Sequence, residues 1–403
     1  MTRPAGYGEA GIWLASRAPG GDDAYRVTRT FEVPPELGRI TARELRTAVD
    51  AVGERHPQLR ARYLLVDGEV HKAFAPRIEI RTAGAGESPP TGPAPETGTV
   101  DACHDPSGAL LSLRVTLHHA ACDAHSLHVL REDLGSALSR VAAGAEPHWE
   151  SRPPSYDTVV RRPGDGPADP ARRAHEEYWE RWAAAAARVV SPAGAHPAAR
   201  TAAWRPVDVA APRARRDVLP VSVYLAAAYL SAARLLDRGA LVVGFSRSGR
   251  TPRTKDVVGF LLQPVPLLLD HDGGTTLGDL LTRTQETLLR ADAHAPGYWP
   301  VVHRRGHRPP DVHCQYVGAA GRTGAVPLLR TREDAGAPSR APRAPVELRL
   351  TAVGRERVRG WAGTARTPGG TADDCAALFR HHVRLLTTAP GLRVHHVLAG
   401  SGS

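Results

Sequence analysis

The sequence predicts a mixed α/β fold in two lobes, and three observations carry that prediction. Segments with period-two alternation are interleaved with segments of helical apolar spacing along the whole chain, with no fixed short repeat. The 403 residues exceed the roughly 250–300 residues at which a single core stops growing. A break, Arg162-Pro163-Gly164-Asp165-Gly166-Pro167-Ala168-Asp169-Pro170, falls between the first set of elements and a charged helix carrying Tyr178-Trp179-Glu180-Arg181-Trp182. These place a first lobe at residues 1–165 and a second at 166–403.

Each element has its own signal. Residues 24–33 alternate apolar and polar side chains as a half-buried strand does. Thr41 and Glu44 form a capping box, Ile40 and Leu45 a staple, and Leu45, Ala48, Val49 and Val52 the apolar face of the helix behind them. Asp67-Gly68 turns a hairpin over residues 61–75. The stretch Gly84 to Thr97 is rich in Gly, Pro, Ser and Thr, so it is expected to be an exposed loop. Alternation returns from Leu110 to His118, and helical spacing from Ser126 to Val141 through Leu127, Leu130, Leu134 and Leu138. The second half repeats the mixture: helices at 220–237, 277–293 and 372–388, strands at 241–244, 311–317 and 345–362, and a Pro/Ala/Arg-rich loop from Thr331 to Pro345.

Composition narrows the function classes. The formal charge of +10 rests almost wholly on arginines spread along the chain, Lys72 and Lys255 being the only lysines. No tract interleaves basic and aromatic residues, so a nucleic-acid role is not expected, whereas attraction to an acidic protein partner is. No stretch nears the ~20 apolar residues of a membrane helix and no signal-type core follows Met1, so the expectation is a cytoplasmic protein without a membrane partner. Cys103, Cys122, Cys314 and Cys375 lack CxxC pairing and read as buried, reduced thiols.

The chemistry concentrates in Leu117-His118-His119-Ala120-Ala121-Cys122-Asp123-Ala124-His125-Ser126, between a strand end and a helix start. On the strand, Leu111, Leu113, Val115 and Leu117 share one face, and His119 follows their parity. If the strand holds through it, His119 points inward, where burial lowers its pKa and keeps a neutral base near pH 7. The same position suits a satisfied core histidine. Asp123 at the helix start reads equally as an N-cap. His118, His119, Asp123 and His125 could in principle ligate a metal, but adjacent strand histidines point to opposite faces.

The string resembles the HHxxxDG signature of nonribosomal-peptide-synthetase condensation domains, in the chloramphenicol-acetyltransferase-like superfamily. Further matches occur in the family's order. Gly8-Glu9-Ala10-Gly11-Ile12-Trp13-Leu14 with Ala24-Tyr25 resembles its opening motif, and Arg55-His56-Pro57-Gln58-Leu59-Arg60 its RHxxLR helix end. Pro154-Ser155-Tyr156-Asp157 with Tyr178-Trp179 resembles the close of the first lobe. Gly244 to Arg250 and Val258-Gly259-Phe260-Leu261-Leu262-Gln263-Pro264-Val265-Pro266-Leu267 resemble the later glycine-arginine and VGxFxNxxPL stretches. Together they cover nearly the whole chain.

The resemblance implies two chloramphenicol-acetyltransferase-like lobes in a V, with His119 at the floor of a central tunnel. His119 matches the catalytic histidine that deprotonates or positions an amine or hydroxyl attacking an acyl thioester. His118 matches the structural first histidine, and Asp123 the aspartate that pairs with an arginine, for which Arg250 is the candidate. Gln315, Ser126 and Gln263 are the oxyanion or substrate candidates; Gln263 stands where the family often has asparagine, and Ala124 where it has glycine. No DFGWG latch motif is present.

The expected function is a free-standing condensation enzyme of secondary-metabolite biosynthesis, forming an amide or ester. It would bind no cofactor of its own. Its acyl or aminoacyl donor would ride on the phosphopantetheine of a separate acyl or peptidyl carrier protein, and its acceptor would be a small amine or alcohol. A coenzyme A-dependent relative, a non-catalytic recruiting module and a metal hydrolase are the alternatives.

Overall fold

The computed structural model describes residues 2–17, 25–83, 96–160, 170–189, 203–212, 217–306, 309–317, 328–332, 338, 342, 344–365 and 367–400. The first stretch holds β1 (Arg3–Pro4), α1 (Tyr7–Ser16), β2 (Arg26–Glu32), α2 (Ala42–Arg55), β3 (Ala61–Val66), β4 (Glu69–Phe74), β5 (Glu79–Ala83), β6 (Thr99–His104), β7 (Leu110–His118), α3 (Ala124–Ala142) and the single turn α4 (Tyr156–Val159). Then come α5 (Pro170–Val189), β8 (Ala203–Ala210), α6 (Pro220–Leu236), β9 (Ala240–Gly244), β10 (Ser246–Ser248), β11 (Leu262–Pro264), β12 (Leu267–Asp270), α7 (Leu277–Ala293), α8 (Tyr298–Arg305) and β13 (Val312–Val317). The last are β14 (Arg330–Thr331), β15 (Val346–Val353), β16 (Arg357–Thr364), α9 (Ala372–Thr388) and α10 (Val394–Ala399).

Two compact units are present: Met1–Gly166 with Ser248–Leu262 and Thr323–Asp334, and Pro167–Arg247 with Gln263–Arg322 and Ala335–Ser403. Two later segments thus belong to the first unit, beyond the single boundary that the break at 162–170 suggests. Residues 162–169 of that break, residues 84–95 of the Gly84–Thr97 loop and most of the Thr331–Pro345 loop lie outside the described residues, as does Ala24.

In the first unit, a five-stranded sheet runs β14-β2-β7-β6-β5, with β7 antiparallel to both β2 and β6. Helices α2 and α3 build its core: Leu45, Val49, Val52, Leu127, Leu130, Leu134 and Leu138 cluster with Phe31, Leu113, Val115 and Leu117. The start of α2 is the expected capping box, with the Thr41 hydroxyl accepting from the Glu44 N–H and the Glu44 carboxylate from the Thr41 N–H. The turn between β3 and β4 needs left-handed backbone at both residues, and Asp67 (φ 51°) and Gly68 (φ 81°) supply it. Ser112, Arg114, Thr116 and His118, on the other face of β7, are also buried. The alternation therefore marks a strand covered on both sides rather than one half-buried, and Leu111, expected inward, is exposed.

In the second unit, a six-stranded sheet runs β12-β9-β13-β15-β16-β8; β13 is parallel to β9 and β15, and the other pairs are antiparallel. Helix α6 starts at Pro220, whose ring fits the first helical turn, and is buried over almost its whole length. Capping boxes at Thr276/Asp279 and Thr371/Asp374 start α7 and α9. The segment 345–362 is two strands, not one, because Gly354 (φ 64°) turns the chain between β15 and β16. All four cysteines are buried and unpaired. No helix among the described residues is long and apolar enough to cross a membrane.

Candidate active site

The site forms in the first unit where β7 ends. The condition that the strand hold through His119 is not met: β7 spans Leu110–His118 as the alternation marks it, and His119–Ala121 is one 3-10 turn. Asp123 then caps α3, accepting at Oδ1 from the Ser126 N–H at 2.8 Å while its own N–H donates to the Ser126 Oγ at 3.3 Å. The turn, not strand parity, aims His119.

Backbone groups select the neutral-ring tautomer of each histidine. His118 Nδ1 lies 3.0 Å from the Ala120 N–H, which can only donate, so Nδ1 carries the lone pair. In the neutral ring Nε2–H then donates to the Ser16 Oγ at 3.1 Å, and the Ser16 hydroxyl donates to the Trp13 carbonyl at 2.7 Å. Burial, helped by the like charges of His119 and Arg17, pulls the His118 pKa down to about 4. His119 is the reverse tautomer. Its Nδ1 lies 2.8 Å from the Cys122 carbonyl, which can only accept, so Nδ1 holds the proton and Nε2 the lone pair of the neutral ring. The ring is half-buried and stands edge-on to Phe260 at 5.4 Å and 82°.

A second segment of the same unit is clamped to this corner. Arg250 Nη2 donates to Asp123 Oδ1 at 2.6 Å, and the two side chains are 5% and 1% exposed, so the pair is desolvated. Arg250 Nη1 donates to the Val257 carbonyl at 2.7 Å, and the Leu261 N–H donates to Asp123 Oδ2 at 3.1 Å. Leaving either ion of such a buried pair alone costs about 3–5 kcal/mol. The Ser126 hydroxyl sits among Asp123, Arg250 Nη2 and both the N–H and carbonyl of Gly259, which leaves neither its proton nor a lone pair for a substrate. Tyr156 completes the clamp, its hydroxyl donating to the Phe260 carbonyl at 3.0 Å.

His118, His119, Asp123, Ser126 and Arg250 thus come together. Gln263 and Gln315 lie in the second unit, on β11 and β13. His125 is exposed and donates from Nε2 to the Lys255 carbonyl at 2.8 Å. Among the described residues no three His, Cys, Asp or Glu side chains converge as metal ligands. Ala124 is the first residue of α3, and the non-glycine residues with positive φ among those described are Asp67 and Asp237, so its methyl costs no backbone strain. In a helix it is favoured over glycine by about 1 kcal/mol.

Sequence reasoning missed Glu9, Ser16, Gln58, Tyr63 and Lys72 beneath the turn. A signal existed. Lys72 shares its strand face with Val70, a charge in an inward row, and both are buried.

No family model matches the chain. A sequence relative is the "probable non-canonical nonribosomal peptide synthetase (NRPS) CymA" of Salinispora arenicola (strain CNS-205), 26% identical over 323 residues; these are 72% of this chain but 4% of that protein. Among solved structures, the complex of the X-domain and OxyB from teicoplanin biosynthesis matches with a TM-score of 0.71 and 18% identity, over 98% of this chain and 95% of that one. The starter condensation domain of the rhizomide synthetase RzmA matches with a TM-score of 0.72 and 15% identity, over 98% of both chains. The chain has the condensation-domain fold, as the histidine string and its flanking motifs imply, and is similar in sequence to a small part of that one probable nonribosomal peptide synthetase.

Proposed function

We propose that the protein is an acyltransferase in which His119 Nε2 takes the proton of an attacking amine or hydroxyl. The new C–N or C–O bond forms at a thioester carbonyl, the C–S bond breaks, and the thiol leaves with the proton returned from His119. The single observation that carries this is the tautomer: the Cys122 carbonyl holds the proton on Nδ1 and puts the lone pair on Nε2. A base so placed contributes about 10²–10⁴-fold. The donor is an acyl or aminoacyl group on the phosphopantetheine of a carrier protein, and the context is secondary-metabolite assembly. Coenzyme A is the alternative carrier of the same acyl group.

A second reading has its own support. An X-domain of this fold was solved in complex with OxyB, so the fold can serve as a docking module. One experiment separates the two. Octanoyl thioesters on a carrier protein and on coenzyme A are offered with a panel of amines and alcohols, to wild type and to His119→Ala, and products are read by mass spectrometry. Transfer from the carrier that is lost by at least ~10²-fold in the variant is expected. Equal product from both proteins would sink the catalytic reading.

A further inference from the structure

A charged cluster lies buried directly beneath the catalytic turn. Lys72, one of two lysines in the chain, is 0% exposed, as is Glu9 of α1. Lys72 Nζ donates to Glu9 Oε1 at 2.7 Å, pairs with Asp157, and sits 4.7 Å from the centre of the Tyr156 ring. Glu9 also accepts from the Gly6 N–H at 2.6 Å and from Gln58 Nε2 at 2.7 Å. The cluster reaches the turn through Tyr63. Gln58 Nε2 donates to the Tyr63 oxygen at 2.7 Å, so the phenol proton is directed onward, to Glu9 Oε2 at 3.0 Å and the Ala120 carbonyl at 3.1 Å. Burial first, and then the Glu9 charge, push the Tyr63 pKa well above the phenol range, so the hydroxyl stays a donor.

Both polar groups of Ala120, the residue after His119, are therefore held by side chains rooted in α1. Its N–H goes to His118, whose ring is fixed by Ser16, and its carbonyl goes to Tyr63, which is fixed by Glu9. Ala120 is itself fully buried among Ala5, Ala10, Trp13 and Val70. This matters because the contact that selects the His119 tautomer closes inside the same turn, from Nδ1 to the Cys122 carbonyl. A buried ion pair costs desolvation and is weak grounds for stability, so its place here asks for a second reason. The Tyr63 hydroxyl lies within reach of both Glu9 and the Ala120 carbonyl, so it ties the turn to the buried pair, and Lys72 balances the Glu9 charge that anchors it.

We infer that Tyr63 and Glu9, charge-balanced by Lys72, are positioning residues that hold the His119–Ala121 turn so that His119 keeps its proton on Nδ1 and presents Nε2 as the base. This rests on the reading of His119 as the base, but its test needs no acyl donor, so the two can fail separately. The protein is labelled with ¹⁵N-histidine, His119 is assigned by difference with His119→Asn, and long-range ¹H–¹⁵N correlations read the ratio of the two neutral tautomers. In Tyr63→Phe, with melting checked by circular dichroism, the ratio of Nδ1–H to Nε2–H should fall roughly fivefold, the equilibrium equivalent of one typical net hydrogen bond. Should that variant not fold, Glu9→Gln, which leaves Lys72 its Asp157 partner, should give a fall in the same direction. A folded variant with an unchanged ratio overturns the proposal.

Discussion

At the scale of single residues, the two adjacent histidines show how backbone groups assign different jobs to the same side chain. An N–H faces Nδ1 of His118 and a carbonyl faces Nδ1 of His119, so neighbouring rings adopt opposite tautomers. His118 has a measurable signature. Its folded pKa is about 4 against 6.5 for an unperturbed ring, so between those values the unfolded chain binds the extra proton. Its stabilising contribution is present above pH ~6.5 and is lost as pH falls through that window to about 4, an effect on the order of 3 kcal/mol. Urea titrations from pH 7 to pH 4 should show a shallower decline in His118→Gln than in wild type; parallel declines would contradict the buried, neutral ring. His382, buried with a pKa lowered to about 3, contributes equally in both proteins and cancels in the comparison.

At the scale of elements, the clamp formed by residues 249–261 is packed at its end, where residues 257–261 are buried, while most of residues 251–256 are exposed. The Gly249 N–H closes it on the Leu261 carbonyl, and Asp123, Ser126 and Tyr156 grip it from α3 and α4. One glycine makes the fit possible. A Cβ on Gly259 would lie 2.0 Å from Cδ2 of Tyr156, a ring that is buried and hydrogen-bonded and so cannot step aside. Gly259→Ala should destabilise by about 1–3 kcal/mol, the usual cost of forced overpacking, and should weaken any acyl transfer with it. Gly135→Ala, inside α3 with its nearest atom at 3.4 Å, is the matched control and should be neutral or slightly stabilising through helix propensity. Denaturant midpoints giving the two variants equal losses would show that the clamp is not packed as described. A further tie joins the end of α2 to α3. His56 Nε2 and Arg55 Nε reach Asp133 Oδ2 at 2.6 and 2.9 Å; burial alone would raise the Asp133 pKa, and these two partners more than offset it, leaving it lowered.

At the scale of the whole molecule, the chain carries a formal +10, which bears on encounter more than on fold. If the proposed donor arrives on an acidic carrier protein, steering should appear in the association rate and be screened once the Debye length shrinks to about 10 Å at 0.1 M salt. Stopped-flow or surface-binding measurements should show the association rate falling severalfold between 0.02 and 0.5 M salt with little change in dissociation, taking ~10 Å at 0.1 M as the screening scale. A salt-independent association rate would remove the carrier's charge from the account of binding.

The sequence by itself determined the features that local rules govern. The capping box at Thr41, the Asp67-Gly68 turn, the start of β7, the helices near 220, 277 and 372, and the order of motifs around His119 are all set by near neighbours. Two kinds of feature were decided by tertiary structure alone. Period-two alternation says that a strand has two faces, but not that both are covered, so β7 read as half-buried and Leu111 as inward. Alternation also cannot say where a strand yields to a turn, and the tautomer of His119 depends on that turn. The pairing of Arg250 with Asp123 and the Lys72–Glu9–Tyr63 cluster under Ala120 join residues 127, 63 and 54 positions apart, with a last link of 57 from Tyr63 to Ala120. No local pattern encodes such contacts, because they are made by folded geometry and not by spacing along the chain.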